Sequence, residues 1–313
     1  MNVDQLTNLP ASVKQRLLNL SRQTQIEFNV LLTKYALERF LYRMSMSRSR
    51  SHFILKGALL FGAWTKELHR TTSDADLLNL QPPSLERLAS VFQEICKIQV
   101  VPDGIHFLPE SVQGQEIRRQ NFFGGIRITL MGVLGKAKVP IQIDIGFGDA
   151  CVPPARIISF PVLLDFPTPR LRACARETMI AEKFHAAVAL GMGNSRMKDY
   201  FDIYYLSQKF DFKGENLSQA LIATFDRQKT PIPERTPRGL STDFAIEPMK
   251  RAQWNHFLIQ KNVMSLEKDF SEVVESVRKF LMPAARAAAK GESFDKRWPS
   301  GGPWRPQEKN HDG

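Results

Sequence analysis

The sequence predicts an α/β protein: a small mixed sheet carrying acidic residues, backed by a mainly helical C-terminal half. Three observations carry that prediction. Residues 53–80 read as a short apolar strand, a glycine-led helix and a second strand that opens on Asp74-Ala-Asp76. Residues 139–149 read as a strand in which Ile141, Ile143 and Ile145 alternate with Gln142 and Asp144. Beyond residue 175 the apolar positions recur mostly at helical spacing.

A chain of 313 residues is long enough for one large domain or two smaller ones with a sizeable core. Its 43% hydrophobic and 24% charged content is that of an ordinary soluble globular protein. No run approaches the ~18 apolar residues of a membrane span, and the polar N-terminus has no apolar signal segment. The net charge of +11 favours an acidic partner such as nucleic acid, with a generally basic soluble protein as the alternative. Cys96, Cys151 and Cys174 show neither disulfide nor zinc spacing, so a reducing, cytoplasmic setting is expected.

Residues 10–50 read as helical, with Leu17, Ile26, Leu31, Tyr35, Phe40 and Met44 on a core stripe. Eight Lys or Arg lie among residues 1–50 against Asp4, Glu27 and Glu38. That positive face suits a nucleic-acid backbone, or is a solvated helix face.

The stretch from residue 53 holds three devices in succession. Gly57, after Lys56, permits a tight turn and a close approach to a ligand. Residues 58–68 read as a helix whose first turn, starting at Ala58, offers free N–H groups to an anion. Asp74 and Asp76, two apart on a strand, direct both carboxylates to one spot. A phosphate cradle followed by paired carboxylates is what magnesium-dependent phosphoryl transfer needs, although either part alone is more often a turn or a solvated strand end.

Downstream, Gln81-Pro-Pro breaks the chain, and Ser84 caps a packing helix over 85–96. Residues 105–108, 125–131 and 140–147 read as strands. Arg118, Arg119 and Arg127 lie on or beside them, as phosphate contacts or as sheet-edge charge. Asp144, inside an apolar strand, requires a metal or a basic partner. Proline-rich residues 153–169 form the passage to the helical half. A helix over 176–190 leaves Glu182 and Lys183 off its core stripe, and a helix over 196–206 sets Lys198, Asp199 and Asp202 within reach of one another. Residues 228–250 read as a long loop, 264–281 as an amphipathic helix, and 283–313 as a disordered tail.

Lys56-Gly57-Ala58 with Arg70-x-Thr72-x-Asp74-x-Asp76 resembles the first motif of the AbiEii/AbiGii toxin nucleotidyltransferases. Ala181-Glu182-Lys183 matches the second motif, and Arg196-x-Lys198-Asp199-x-x-Asp202 the third. The resemblance covers roughly residues 10–280. It implies a minimal, polymerase-β-like nucleotidyltransferase fold with the catalytic half in 1–152 and the Glu-Lys and Lys-Asp motifs in a helical half, 153–282. By resemblance Asp74, Asp76 and Asp144 hold magnesium, while Lys56, Gly57, Ala58, Thr72 and Lys198 bind the NTP. Lys183 and Asp199 join the acids as catalytic residues, and Asp202 holds neighbouring basic groups. The expected reaction moves a nucleotide to an acceptor, by resemblance the tRNA 3′ end, with release of pyrophosphate and an inhibition of growth or phage infection. Transfer to a protein or small molecule, or a non-catalytic RNA-binding role, are the alternatives. A cognate antitoxin encoded nearby is implied, without a stable complex. Gly57-Ala58 departs from the Gly-Ser or Gly-Gly of many relatives and removes a hydroxyl contact to phosphate.

Overall fold

A computed structural model describes residues 8–65, 74–80, 84–117, 124–148, 150–260 and 268–307. The chain forms two compact units: residues 1–148 with 156–173, and residues 149–155 with 174–313.

The first unit opens with helices α1 (Leu9–Thr24) and α2 (Phe28–Met46). Then come β1 (Phe53–Lys56), α3 (Leu60–Thr65), β2 (Asp74–Asn79), α4 (Leu85–Cys96), β3 (Ile105–Ile117), β4 (Gly125–Leu134) and β5 (Ala137–Phe147). β6 (Arg156–Ser159) and β7 (Arg170–Ala173) complete a seven-stranded sheet of order β3-β4-β5-β2-β1-β7-β6. β2 runs parallel to β5 and β1 to β7, while the other neighbours are antiparallel, so the sheet is mixed. The proline-rich segment therefore returns to the sheet as two short strands, whose length is too small to leave a periodic signal. β3 is longer than its apolar start implies, because a register shift between Leu108 and Gln113 absorbs Pro109 and pairing then resumes.

The core of this unit lies between the sheet and its helices. Phe40 of α2 meets Phe92 of α4 at 5.7 Å and Phe107 of β3 at 5.3 Å. Two arginines of the supposed basic face turn inward. Arg43 donates two hydrogen bonds to the carboxylate of Asp103, at 2.8 and 3.0 Å, and Arg39 is fully buried. Lys14, Arg22, Arg48 and Arg50 remain exposed.

The second unit contains α5 (Arg176–Leu190), α6 (Met197–Lys209), β8 (Phe212–Lys213), α7 (Gly214–Arg227), α8 (Thr242–Ile246), α9 (Pro248–Gln260) and α10 (Phe270–Lys290). Two short strands follow, β9 (Lys296–Trp298) and β10 (Arg305–Pro306). Ile180, Phe184, Leu206, Leu221, Phe225, Val277 and Phe280 are fully buried and form its core. The expected long loop is thus interrupted by α8, capped by the Ser241 hydroxyl at the amide of Phe244, and by α9.

Two expectations are corrected here. Cys151 and Cys174 form a disulfide with Cα atoms 5.4 Å apart; the fold, not their spacing, brings them together. Residues 283–307 are not a disordered tail. α10 starts on an Asp269/Glu272 capping box, runs through Pro283 and ends at Gly291. The alanine-rich turns beyond Pro283 are strong helix formers with Ala284 and Ala285 fully buried, which offsets the hydrogen bond lost at the proline. β8, β9 and β10 then pair as a small sheet. Trp298 and Trp304 pack on Phe280 with centroids 5.0 and 5.8 Å away, and their ring N–H groups donate to the carbonyls of Ser207 and Phe280.

Candidate active site

Strand alternation builds the acidic face of the first unit. On β2, Ala75 and Leu77 point into the core, so Asp74 and Asp76 share the opposite, part-exposed face. On β5, Ile143 and Ile145 are fully buried, and Asp144 lies on that same opposite face. The register aligns them: Asp76 is paired with Asp144, and Asp74 with Gln142. On the flanks Lys56 stands opposite Asp76, and Arg127 opposite Asp144. One cross-strand row thus reads Lys56, Asp76, Asp144, Arg127, with two like charges inside and a cation at each end.

Arg127 completes this row by a direct contact. Its Nε and Nη2 donate to Oδ1 and Oδ2 of Asp144 at 2.8 and 2.9 Å. The guanidinium pKa is raised, first by its hydrogen bond to Asp144 and also by the charges of Asp144, Asp74 and Asp76. For Asp144, the basic-partner reading is therefore realised; for Arg127, sheet-edge charge gives way to a salt bridge inside the acidic face. Only the register of β4 against β5 could reveal that pairing.

Gly57 follows Lys56 with φ +72°, a conformation that favours glycine. A Cβ there would lie 2.0 Å from Oδ2 of Asp76. The helix begins later than expected, at Leu60, because the amides of Leu60 and Phe61 donate to the carbonyls of Gly57 and Ala58 in a turn, both at 3.2 Å. Those two donors are therefore engaged. Arg70, Thr72, Arg118 and Arg119 lie outside the described residues.

Magnesium favours oxygen ligands and retains positions for water and phosphate. Asp74 and Asp76 suit that chemistry, and two carboxylates side by side on neighbouring strands repel unless a cation lies near them. Asp144 already has its guanidinium. Among the described residues no group of three His, Cys, Asp or Glu is gathered in the manner of a metal-ligand set.

In the second unit, Lys183 of α5 bridges two acids of α6. Its Nζ donates to Oδ1 of Asp199 at 2.6 Å and lies 2.9 Å from Oδ2 of Asp202. Arg196 Nε donates to the other oxygen of Asp199 at 2.5 Å. Burial alone would raise the Asp199 pKa, but the charges of Lys183 and Arg196 outweigh it and hold the carboxyl below its usual range. Lys198 is exposed and Glu182 half-buried. The motif spacing placed Asp199 and Asp202 on one helix; the packing of α5 on α6 supplies their lysine.

The family model described as "Nucleotidyl transferase AbiEii toxin, Type IV TA system" matches residues 39–276. The chain belongs to this family. The match spans Lys56, the acids of β2 and β5, and the Lys183 network, so this AbiEii protein is a nucleotidyltransferase of the toxin class, and the type IV system implies a cognate antitoxin. Its mixed α/β architecture accords with that assignment. The crystal structure of JHP933 from Helicobacter pylori is similar with a TM-score of 0.47 and 14% identity, covering 84% of this chain and 92% of its own. A second H. pylori protein, whose given name proposes a nucleotidyltransferase, is similar with a TM-score of 0.48 and 13% identity, covering 85% of this chain and 97% of its own. No curated protein matches the chain. Among the described residues, no helix is long and apolar enough to cross a membrane.

Proposed function

We propose that this AbiEii protein transfers a nucleotide from an NTP to a hydroxyl of RNA, the 3′ end of tRNA, using magnesium held by Asp74 and Asp76 with Asp144 as a further ligand. The adjacent carboxylates of Asp76 and Asp144, with Asp74 on the same face, carry this reading. Bound there, the ion would supply charge neutralisation at the triphosphate and acidify an attacking hydroxyl. The hydroxyl oxygen bonds to the α-phosphorus, the bond to the β-phosphate breaks, and pyrophosphate leaves. Asp144 takes the hydroxyl proton in this scheme. The turn at Gly57 and Ala58 lets the backbone approach the nucleotide, with Lys56, Thr72 and Lys198 on its phosphates. Lys183, oriented by Asp199 and Asp202, meets the charge that builds during transfer. Exposed basic residues of α1 and the segment after α2, among them Lys14, Arg22 and Arg48, hold the RNA backbone.

Such an activity would deplete functional tRNA and thereby arrest growth or abort phage infection, and it belongs in the cytoplasm, where NTPs and tRNA are available. The antitoxin acts without a lasting complex.

The test is incubation of purified protein with magnesium, each labelled NTP and total tRNA, beside an Asp74→Asn/Asp76→Asn variant. Label on RNA with wild type alone supports the reading and reports the base. Label on protein or on a small molecule keeps the chemistry and overturns the acceptor. Equal labelling by the variant removes the assigned carboxylates from the mechanism.

A further inference from the structure

The acidic face contains its own cation. Both carboxylate oxygens of Asp144 are taken by the Arg127 guanidinium, at 2.8 and 2.9 Å, in the parallel two-point geometry that makes arginine–carboxylate pairs strong. The pair is directly opposed on antiparallel strands, so neither side chain has to reach. Asp144 is 13% exposed, whereas Arg127 is 36% exposed and has solvent available to it. On its other side Asp144 stands beside Asp76, an acid with which it would share a cation. An arginine with this freedom, engaged on a carboxylate that has a like-charged neighbour, occupies the place of a counter-ion.

We propose that Arg127 competes with the divalent cation for Asp144, so that the resting site holds the guanidinium and metal binding releases it. The inference rests on the magnesium reading above. It makes Arg127 a positioning residue that sets metal affinity: with the arginine on Asp144 the face is partly neutralised, and metal binds well only where NTP phosphates contribute further ligands. The arrangement disfavours nucleotide-free metal and couples metal entry to substrate.

Manganese binding without nucleotide, followed by electron paramagnetic resonance, tests this directly. Arg127→Gln should lower the manganese Kd about fivefold or more, as expected when a two-point ion pair no longer competes. Arg127→Lys, which keeps the charge but not the fork, should fall between Arg127→Gln and wild type. Asp144→Asn should weaken binding, and Arg127→Gln should then give no further gain in that background. Thermal melts establish that each variant is folded. Unchanged or weaker manganese binding by folded Arg127→Gln, with wild-type binding still dependent on Asp74 and Asp76, overturns the competition and leaves the metal site standing. Manganese binding insensitive to Asp74→Asn/Asp76→Asn overturns both.

Discussion

A Cβ on Gly57 would lie 2.0 Å from the Oδ2 of Asp76, so the glycine and the acid occupy complementary space. Gly57→Ala must therefore displace Asp76 or distort the turn, and it also forces alanine to φ +72°, a penalty of about 1–2 kcal/mol. Nucleotide transfer should fall at least about tenfold, the equivalent of 1.4 kcal/mol in the barrier. The matching melting temperature should fall by only a few degrees. Full activity in a folded Gly57→Ala would show that the position of Asp76 is not critical.

Lys183 is the shared cation of two carboxylates that are 2% and 0% exposed. Lys183→Met removes this cation from both buried carboxylates of α6, Asp199 keeping its contact with Arg196, and loss of one partner of a buried ion pair typically costs about 3–5 kcal/mol. Chemical denaturation should register that loss. Adding Asp202→Asn removes one of the two buried charges that Lys183 had neutralised and should restore part of the stability without restoring transfer. Recovery of both together would make Lys183 a purely structural residue.

Glu38 introduces a pH dependence with a defined sign. Fully buried, it accepts a hydrogen bond from the amide of Leu163 at 2.8 Å. Burial pushes its pKa from 4.5 up to about 7, against the opposing pull of Arg39 and that amide. Between those values the folded state binds the proton and the unfolded state does not. Stability from this group is therefore present at low pH and declines as pH rises through the window, by about 3 kcal/mol. Glu38→Gln keeps an acceptor for Leu163 and should flatten the pH profile of unfolding relative to wild type between pH 5 and 7. Parallel profiles would remove Glu38 as the source.

The segment after α10 is part of the second unit's core. Trp298 is 5% exposed and rests on Phe280. Trp298→Ala should destabilise the protein by about 3–5 kcal/mol, the usual loss for a buried tryptophan. Truncation after Gly291 would uncover Phe280 and promote aggregation. A truncated chain that melted like the full one would return this segment to the status of a tail.

Reduction of the Cys151–Cys174 disulfide, which closes a loop of 23 residues, should lower the melting temperature measurably, since such a cross-link is worth roughly 3 kcal/mol in the chain-entropy account. Cys151→Ser should melt at the same temperature with and without reductant. No shift in the wild type on reduction would mean that the bond contributes nothing to stability.

Much of the site was legible because its signals are local. The two-residue strand period alone puts Asp74 and Asp76 on one face and Asp144 opposite its isoleucines. The helix over 85–96 and its Ser84 cap, with the hydroxyl accepting from the Arg87 amide, follow from one apolar stripe and one capping residue. The helix over 176–190 is equally plain from Met179, Ile180, Phe184 and Ala187 at helical spacing, although the burial extends beyond that stripe to Glu177, Thr178, Ala181, His185 and Ala186. The segment after Pro283 has no such local signal, because a few aromatics among Pro, Gly and charges have no period. Their burial depends on Phe280 and on the pairing of β9 with β8.

The sequence by itself determined the strands that carry the acids, the main helices and the order of the motifs, together with the family they belong to. Tertiary structure alone decided the partners: Arg127 for Asp144, Lys183 for Asp199 and Asp202, Cys174 for Cys151, Asp103 for Arg43. A period along the chain states which face a side chain occupies. Which charge it meets there depends on strand register and helix packing, and those are set by contacts between residues far apart in sequence.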